Sequence, residues 1–314
     1  MNSKILQVLD PSHKNWVLGG LFRDINNESV NYCKQQIFLG SPFSNQNFFS
    51  WFITILRILK YKKILFSSIT PLENYLKIMK FFPKFQKIGL WFTHQEGLYT
   101  ENQIYAINYC DFIFVHSLKQ KSALEDISNS KIICTLGAVK TQNFNPRAVS
   151  GERIVWVGTT AERKNPNSII DLAVKNPQLD FRILGKGWIG TQYYSAIKNL
   201  QNVEYTEIKS ALSSRDFDGC DVYLCTSVVE GGPMPLLETI AAGLHPITTD
   251  VGFARDVFHF YEIPEMFIYD DAKSITNLIL EVRTNKWKYF TYDKSKLESL
   301  NFTNLSRKIS SEYE

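Results

Sequence analysis

The stretch Val222 to Asp250, VYLCTSVVEGGPMPLLETIAAGLHPITTD, constrains the fold more than any other. Val222 to Cys225 is an apolar run that reads as a buried strand. A loop with Glu230, Gly231 and Gly232 follows, and Pro233 and Pro235 suit a helix start, where a missing N–H costs nothing. Leu236, Leu237, Ile240 and Ala241 have helical spacing, Gly243 closes the helix, and ITT opens the next strand. The unpaired N–H groups and positive dipole end of such a helix suit a phosphate or diphosphate. Met234 sits at that turn beside Pro233, and Glu230 and Glu238 flank it as acceptors for hydroxyls of a sugar or ribose.

The same alternation runs through the chain. Residues 4–9, 63–67, 87–93, 111–116 and 131–135 read as strands, with helices at 48–59, 71–82, 101–109 and 117–126. Gly19 and Gly20 fall in a loop leading toward a short helix, and the 87–93 strand delivers His94 to its C-terminal edge. Residues 137–151, polar with a Pro and a closing Gly, read as a linker. The pattern then restarts with strands at 153–157, 180–184, 203–206, 221–225 and 246–249, and helices near 166–175, 209–215 and 234–242. Alternation of this kind implies an α/β fold of two doubly wound, Rossmann-like domains. Ligands in such sheets bind beyond the carboxyl ends of the strands, so an interdomain cleft is expected. The tail from Lys286, with Trp287, Leu297, Leu300 and Phe302, is amphipathic enough to pack back on the body.

At 314 residues, two domains of this size can each bury a core. The start of the chain lacks the apolar core of a signal peptide, and the most apolar run, Phe48 to Leu59, is too short to span a bilayer and carries Arg57. The five cysteines are odd in number and form no C-x-x-C, which points to reduced thiols and a cytoplasmic protein. Residues 1–150 hold 17 Lys/Arg against 9 Asp/Glu, and residues 151–314 hold 18 against 22. The first half therefore faces something anionic.

The second half resembles the nucleotide-sugar domain of GT-B fold glycosyltransferases, specifically the large retaining family of glycosyl transferases group 1 (family four). Glu230-GGPMPLL-Glu238 matches its E-x7-E motif, CDVYLCTSVV matches the lead-in, and VGTTAERKNP is similar to its V-G-R-L-x-x-x-K-G segment. Gly19-Gly20, FTH at 92–94, DFIFVHS and GAVKTQNFNP match weaker features. The resemblance implies a GT-B architecture, with an acceptor-binding domain at 1–148, a nucleotide-sugar-binding domain at 149–285 and a C-terminal crossover at 286–314. It implies that Glu238 holds the ribose hydroxyls, that Glu230 with Gly231, Gly232, Pro233 and Met234 meets the donor sugar and diphosphate, and that Lys164 neutralises the leaving diphosphate. Gly158 and Gly185 would line the nucleotide edge, and His94, Gly19 and Gly20 would touch sugar and phosphate. No metal and no cofactor are implied. Thr159 stands where the family has an arginine; Arg163 is the substitute cation, although neighbouring side chains point differently.

Blander readings accompany each signal. Isolated, Glu230 and Glu238 would be surface acids, Arg163 and Lys164 an exposed turn, and His94 a satisfied strand-end histidine. Gly185-Lys-Gly187-Trp-Ile-Gly190 is a literal G-x-G-x-x-G, but a dinucleotide fingerprint needs a helix opening at the loop. Asp216-Phe-Asp218 is a literal D-x-D, read as a cap or surface feature. Lys60, Lys62, Lys63, Lys77, Lys80, Lys84 and Lys87 interleave with Phe81, Phe82 and Phe85, which suits an anionic membrane surface on the inner face or a plain solvated face. The expected activity is sugar transfer from a nucleotide-sugar to a glycan or lipid-linked acceptor in surface polysaccharide synthesis. Alternatives are a phage-type enzyme acting on nucleic acid, a nucleotide-sugar epimerase, a dinucleotide-dependent oxidoreductase and a silent binding module.

Overall fold

The computed structural model describes residues 2–15, 17–42, 48–92, 99–145, 151–209, 211–269, 274–284 and 293–314. They form two compact units, one of Met1–Leu136 with Phe302–Glu314 and one of Gly137–Asn301.

The first unit is built on a parallel sheet of six strands, β1 (Asn2–Leu9), β2 (Ile37–Phe38), β3 (Tyr61–Phe66), β4 (Lys87–Trp91), β5 (Phe112–Val115) and β6 (Lys131–Cys134). Their order is β2-β1-β3-β4-β5-β6. Helices α1 (Val17–Asn27), α2 (Phe48–Ile58), α3 (Ile69–Met79), α4 (Glu101–Tyr109) and α5 (Leu118–Glu125) make the connections. A parallel sheet covered on both faces needs strands apolar on both sides, and β5, FIFV, is buried at every position. Local chemistry sets the helix starts. Thr100 Oγ1 accepts from the Gln103 N–H while Gln103 Oε1 accepts from the Thr100 N–H, a capping box for α4. Ser117 caps α5 through the Gln120 N–H.

The second unit carries β7 (Arg153–Thr159), β8 (Asp180–Lys186), β9 (Val203–Glu207), β10 (Cys220–Cys225) and β11 (His245–Thr248) in the order β11-β10-β7-β8-β9, all parallel. Around it lie α6 (Pro166–Lys175), α7 (Gln192–Ile197), α8 (Met234–Ala241), α9 (Ala254–Tyr261), α10 (Ile275–Thr284) and α11 (Lys294–Ser299). Arg283 of α10 reaches Asp221 at the start of β10 with Nε at 2.7 Å and Nη2 at 3.0 Å. Burial pushes the Asp221 carboxyl up, and the guanidinium opposes that shift.

The chain returns to the first unit at α12 (Phe302–Ser311). Ser306 Oγ donates to Ile25 O, Lys308 Nζ to Cys134 O, and Lys131 pairs with Glu312 at 2.6 Å. The buried Tyr313 stands edge-on to Phe112 and its hydroxyl donates to Ile64 O. Gly89 of β4 makes the room, since a Cβ there would lie 2.4 Å from the Phe112 ring and 2.7 Å from the Tyr313 hydroxyl. The linker residues 137–145 and the tail residues 293–301 are counted with the second unit, and the return begins at Phe302.

Two local expectations are corrected. Gly19 and Gly20 lie within the first turns of α1 rather than in a loop, because Gly19 packs against the 3-10 turn Pro11–Asn15. In place of a helix at 209–215, the described residues form a 3-10 turn at Ser214–Phe217, closed by a Ser213–Asp216 capping box. The D-x-D thus begins with a capping residue, as expected from sequence.

A Cβ at Gly19 would fall 2.1 Å from the His13 carbonyl oxygen, whereas at Gly20 only the Arg23 guanidinium, 3.9 Å away, comes near. Gly19→Ala is therefore expected to cost about 1–3 kcal/mol by overpacking. Gly20→Ala should add about 0.5–1 kcal/mol by helix propensity. Denaturant midpoints of the two variants check the contrast, and equal losses would contradict the packing.

Candidate functional site

In the second sheet the winding direction reverses between β7 and β10, so their carboxyl ends flank the switch point where open α/β sheets bind ligands. Beyond β7, a 3-10 turn, Glu162–Lys164, leads to Asn165, whose left-handed conformation (φ 50°) precedes Pro166 at the start of α6. Beyond β10, Thr226 and Ser227 open the loop that carries Glu230 into α8. The two loops are stitched together. The Val228 N–H donates to Arg163 O at 2.8 Å, and Thr226 Oγ1 lies 2.9 Å from Lys164 O and 3.1 Å from Asn165 O. Trp156 Nε1 completes the knot by donating to Thr226 Oγ1.

This knot sets three charged groups together. Glu230 is 5% exposed. Lys164 Nζ lies 2.5 Å from its Oε1, Arg163 Nη1 lies 2.8 Å from its Oε2, and Ser227 Oγ donates to Oε1 at 3.0 Å. The concern that adjacent side chains diverge is answered by the tight turn, from which each cation takes a different oxygen. Thr159 is exposed, and its Oγ1 accepts from the Ala161 N–H at 3.4 Å; the guanidinium beside Glu230 is that of Arg163. Lys164 is nearly buried while Arg163 is about one-third exposed. Two cations against one carboxylate leave one formal positive charge in a poorly hydrated place, where a further anion is favoured.

Gly231 is buried, Gly232 and Met234 are half-buried, and Pro233 is buried at the entry to α8. No side chain caps this helix, and Pro235 in its first turn has no N–H. Gly252, with φ 53°, lets the loop after β11 approach; a Cβ there would lie 2.9 Å from Glu230 O and Gly231 C. Glu238, one turn in, is half-buried, and its carboxylate accepts no hydrogen bond among the described residues. Loss of water around its carboxyl pushes the pKa up to about 7, with Asp216 adding repulsion and Lys140 opposing it.

The glycines at the strand ends serve packing. Gly158 and Gly185 face each other across β7 and β8. A Cβ on Gly185 would meet the Trp188 indole at 2.6 Å, and that indole donates to Gly158 O at 3.2 Å. Trp188 is fully buried and occupies the space Gly185 leaves, while the Trp156 ring, 2.7 Å from where a Cβ on Gly158 would lie, fills the other. Within the G-x-G-x-x-G, the Gly187 N–H donates to Glu207 Oε1 at 2.8 Å, an internal carboxylate where a dinucleotide would place phosphate. Helix α7 begins only at Gln192, after its own cap Thr191.

The switch point thus gathers Arg163, Lys164, Glu230 and the Gly231–Met234 turn, with Gly158 and Gly185 at the adjoining strand ends. Gly19 and Gly20 belong to the first unit, and His94 lies outside the described residues. Sequence reasoning missed Ser227, Thr226 and Trp188, whose roles depend on hydrogen bonds and volume. Lys140 near Glu238 was missed too, since nothing in sequence relates residues about a hundred apart.

Comparison with known proteins gives this site its class. Residues 140–293 match the family described as Glycosyl transferases group 1. No curated protein matches the chain. Among solved structures, a sucrose-phosphate synthase from Thermosynechococcus elongatus superposes with a TM-score of 0.73 at 13% identity, covering 99% of this chain and 98% of that one. Anabaena HepE in complex with UDP and glucose gives 0.65 at 12% identity, covering 99% and 95%. The pneumococcal O-GlcNAc transferase GtfA in complex with UDP and GlcNAc gives 0.60 at 16% identity, covering 84% and 59%. The two parallel sheets with flanking helices are a GT-B fold. Residues 140–293 carry the likeness to the group 1 glycosyltransferases, and the chain is an enzyme of the nucleotide-sugar glycosyltransferase kind.

The raised Glu238 pKa has a consequence for stability. A carboxyl whose folded pKa exceeds its unfolded value contributes stability at low pH that is lost as pH rises toward the folded value, here from about 4.5 to about 7. Glu238→Gln cannot ionise and should gain on the wild type across that window, by on the order of 1–2 kcal/mol after discounting for partial exposure. Denaturation at pH 5 and pH 8 checks this; a constant difference would exclude the shift.

Proposed function

We propose that this glycosyltransferase moves a sugar, with retention, from a nucleoside diphosphate donor to a glycan or lipid-linked acceptor in surface polysaccharide assembly. The observation that carries the donor class is the Arg163–Glu230–Lys164 cluster at the switch point, beside an uncapped helix start. UDP or UDP-glucose in the HepE structures and UDP in the GtfA structure support the same class.

In this reading the surplus positive charge of Arg163 and Lys164 meets the diphosphate, with the N–H groups of Gly231, Gly232 and Met234. As the glycosidic bond breaks, charge grows on the leaving phosphate, and fixed donors stabilise it more there than in the bound substrate. The proposal assigns that neutralisation to side chains and amides, with no metal ion. Front-face attack lets the departing phosphate take the acceptor's proton and preserves the anomeric configuration. Glu238, with an unclaimed carboxylate, accepts from the ribose hydroxyls. Gly185 acts through Trp188 and Gly158 through Trp156, shaping the edge near the base. Gly19, Gly20 and His94 remain proposed contacts to sugar and phosphate. The internal Gly187–Glu207 bond speaks against the dinucleotide alternative.

Donor-dependent transfer or donor hydrolysis by Lys164→Ala and Glu238→Ala tests the reading. Lys164→Ala should lower kcat by about 100-fold or more, as for loss of one preorganised charge donor. Glu238→Ala should mainly raise the donor KM. Wild-type rates in both would end the assignment. A thermal-shift panel of nucleoside diphosphate sugars identifies the donor, since a ligand at 100 times its Kd adds about 2.7 kcal/mol. Conversion of the donor without acceptor would mark an epimerase, and binding without turnover a silent module.

A further inference from the structure

The surface of the first unit carries a feature the donor site does not use. Helix α2 buries Trp51, Ile55 and Ile58 against the core, as an amphipathic helix should. Its outer face is apolar as well. Phe49 is 66% exposed, Phe52 38%, Ile53 41% and Leu56 47%. Their spacing of i, i+3, i+4 and i+7 makes one continuous stripe along the helix. Where α2 ends, Gln86 Nε2 donates to Ile58 O and Tyr61 O, tying the 81–86 turn to the corner between α2 and β3. That turn presents Phe81 at 75%, Phe82 at 56% and Phe85 at 46% exposure. Exposed Arg57, Lys60, Lys62 and Lys80 stand around the same corner, with Lys80 Nζ 5.2 Å from the Phe81 ring centre. Lys84 is discounted, being paired with Asp111 at 2.9 Å.

A soluble monomer rarely keeps so much contiguous apolar surface without a use. The composition identifies the occupant. Exposed aromatics and aliphatics ringed by cations, with no acidic residue from Arg57 to Thr70 or from Ile78 to Gly89, match an apolar layer beneath anionic headgroups. No helix among the described residues is long and apolar enough to cross a membrane, so the contact lies in the interface plane. We propose that α2 and the 81–85 turn form a docking surface for an anionic lipid bilayer. It acts independently of the donor site.

Sedimentation with vesicles tests this. The wild type should pellet with vesicles of phosphatidylglycerol and phosphatidylcholine, stay in solution with phosphatidylcholine alone, and be released by high salt. Lys60→Ala, Lys62→Ala and Lys80→Ala should each weaken the partition by about fivefold. Phe52→Ser with Leu56→Ser should weaken it further at all salt concentrations. Donor-induced thermal shift, read in parallel, should be unchanged in every variant, which separates loss of docking from misfolding and from any error in the donor assignment. No binding to anionic vesicles, or binding equal in wild type and variants, overturns the proposal. So does a dimer at working concentrations that the serine variants dissolve, because a second copy would then cover the stripe.

Discussion

Glu230 is a carboxylate held almost out of water between Lys164 and Arg163, and removing it from solvent would cost several kcal/mol if those cations moved away. The surrounding structure keeps them in place. β7 and β10 must be neighbours, which follows from the point at which the parallel order reverses. Their loops must also stay in register, and Thr226, Trp156 and the Val228 N–H hold them through four hydrogen bonds. Asn165 must turn the chain sharply enough for Pro166 to begin α6 without carrying Lys164 away. The cluster is therefore a product of topology first and of side-chain chemistry second.

Much of this was legible in the sequence because parallel strands covered on both faces are short, continuous apolar runs separated by helices. Among the described residues, strands such as β4, β5 and β10 announce themselves this way; β2 has only two residues, too few to form a pattern, and β9, VEYTE, alternates with no buried position. The strand–Gly-Gly–helix block was equally plain, since Pro and Gly punctuate it. Illegible parts depended on tertiary contact. Gly19 looks like a loop residue until the His13 carbonyl is found against it. The 209–215 segment has helical composition, yet Ser213 and Asp216 close a tight turn first. The space beside Gly185 is filled by Trp188 and that beside Gly158 by Trp156, packing that no sequence pattern announces.

The G-x-G-x-x-G shows how a motif can be spent internally. Its left-handed glycines at 187 and 190 are real, with φ of 76° and 87°. The amide that such a loop would turn toward a phosphate is instead bonded to Glu207, whose carboxyl is held below its ordinary range chiefly by that bond. Tyr205 donates to the other Glu207 oxygen. An acid from β9 thus satisfies the loop that a cofactor would satisfy elsewhere.

The two glutamates of the E-x7-E block differ more than their symmetric spacing suggests. An ionised carboxylate offers about four lone-pair sites. On Glu230 three are taken, by Lys164, Ser227 and Arg163, leaving room for one further donor beside Oε2. On Glu238 none is taken by a described residue, and poor hydration holds its pKa near 7. A group surrounded by fixed partners sets the position of others, while a group with open acceptor sites and costly ionisation gains most when a ligand supplies donors. Glu230 is thus chiefly the organiser of the cations, and Glu238 is the acid whose acceptor sites no described residue fills.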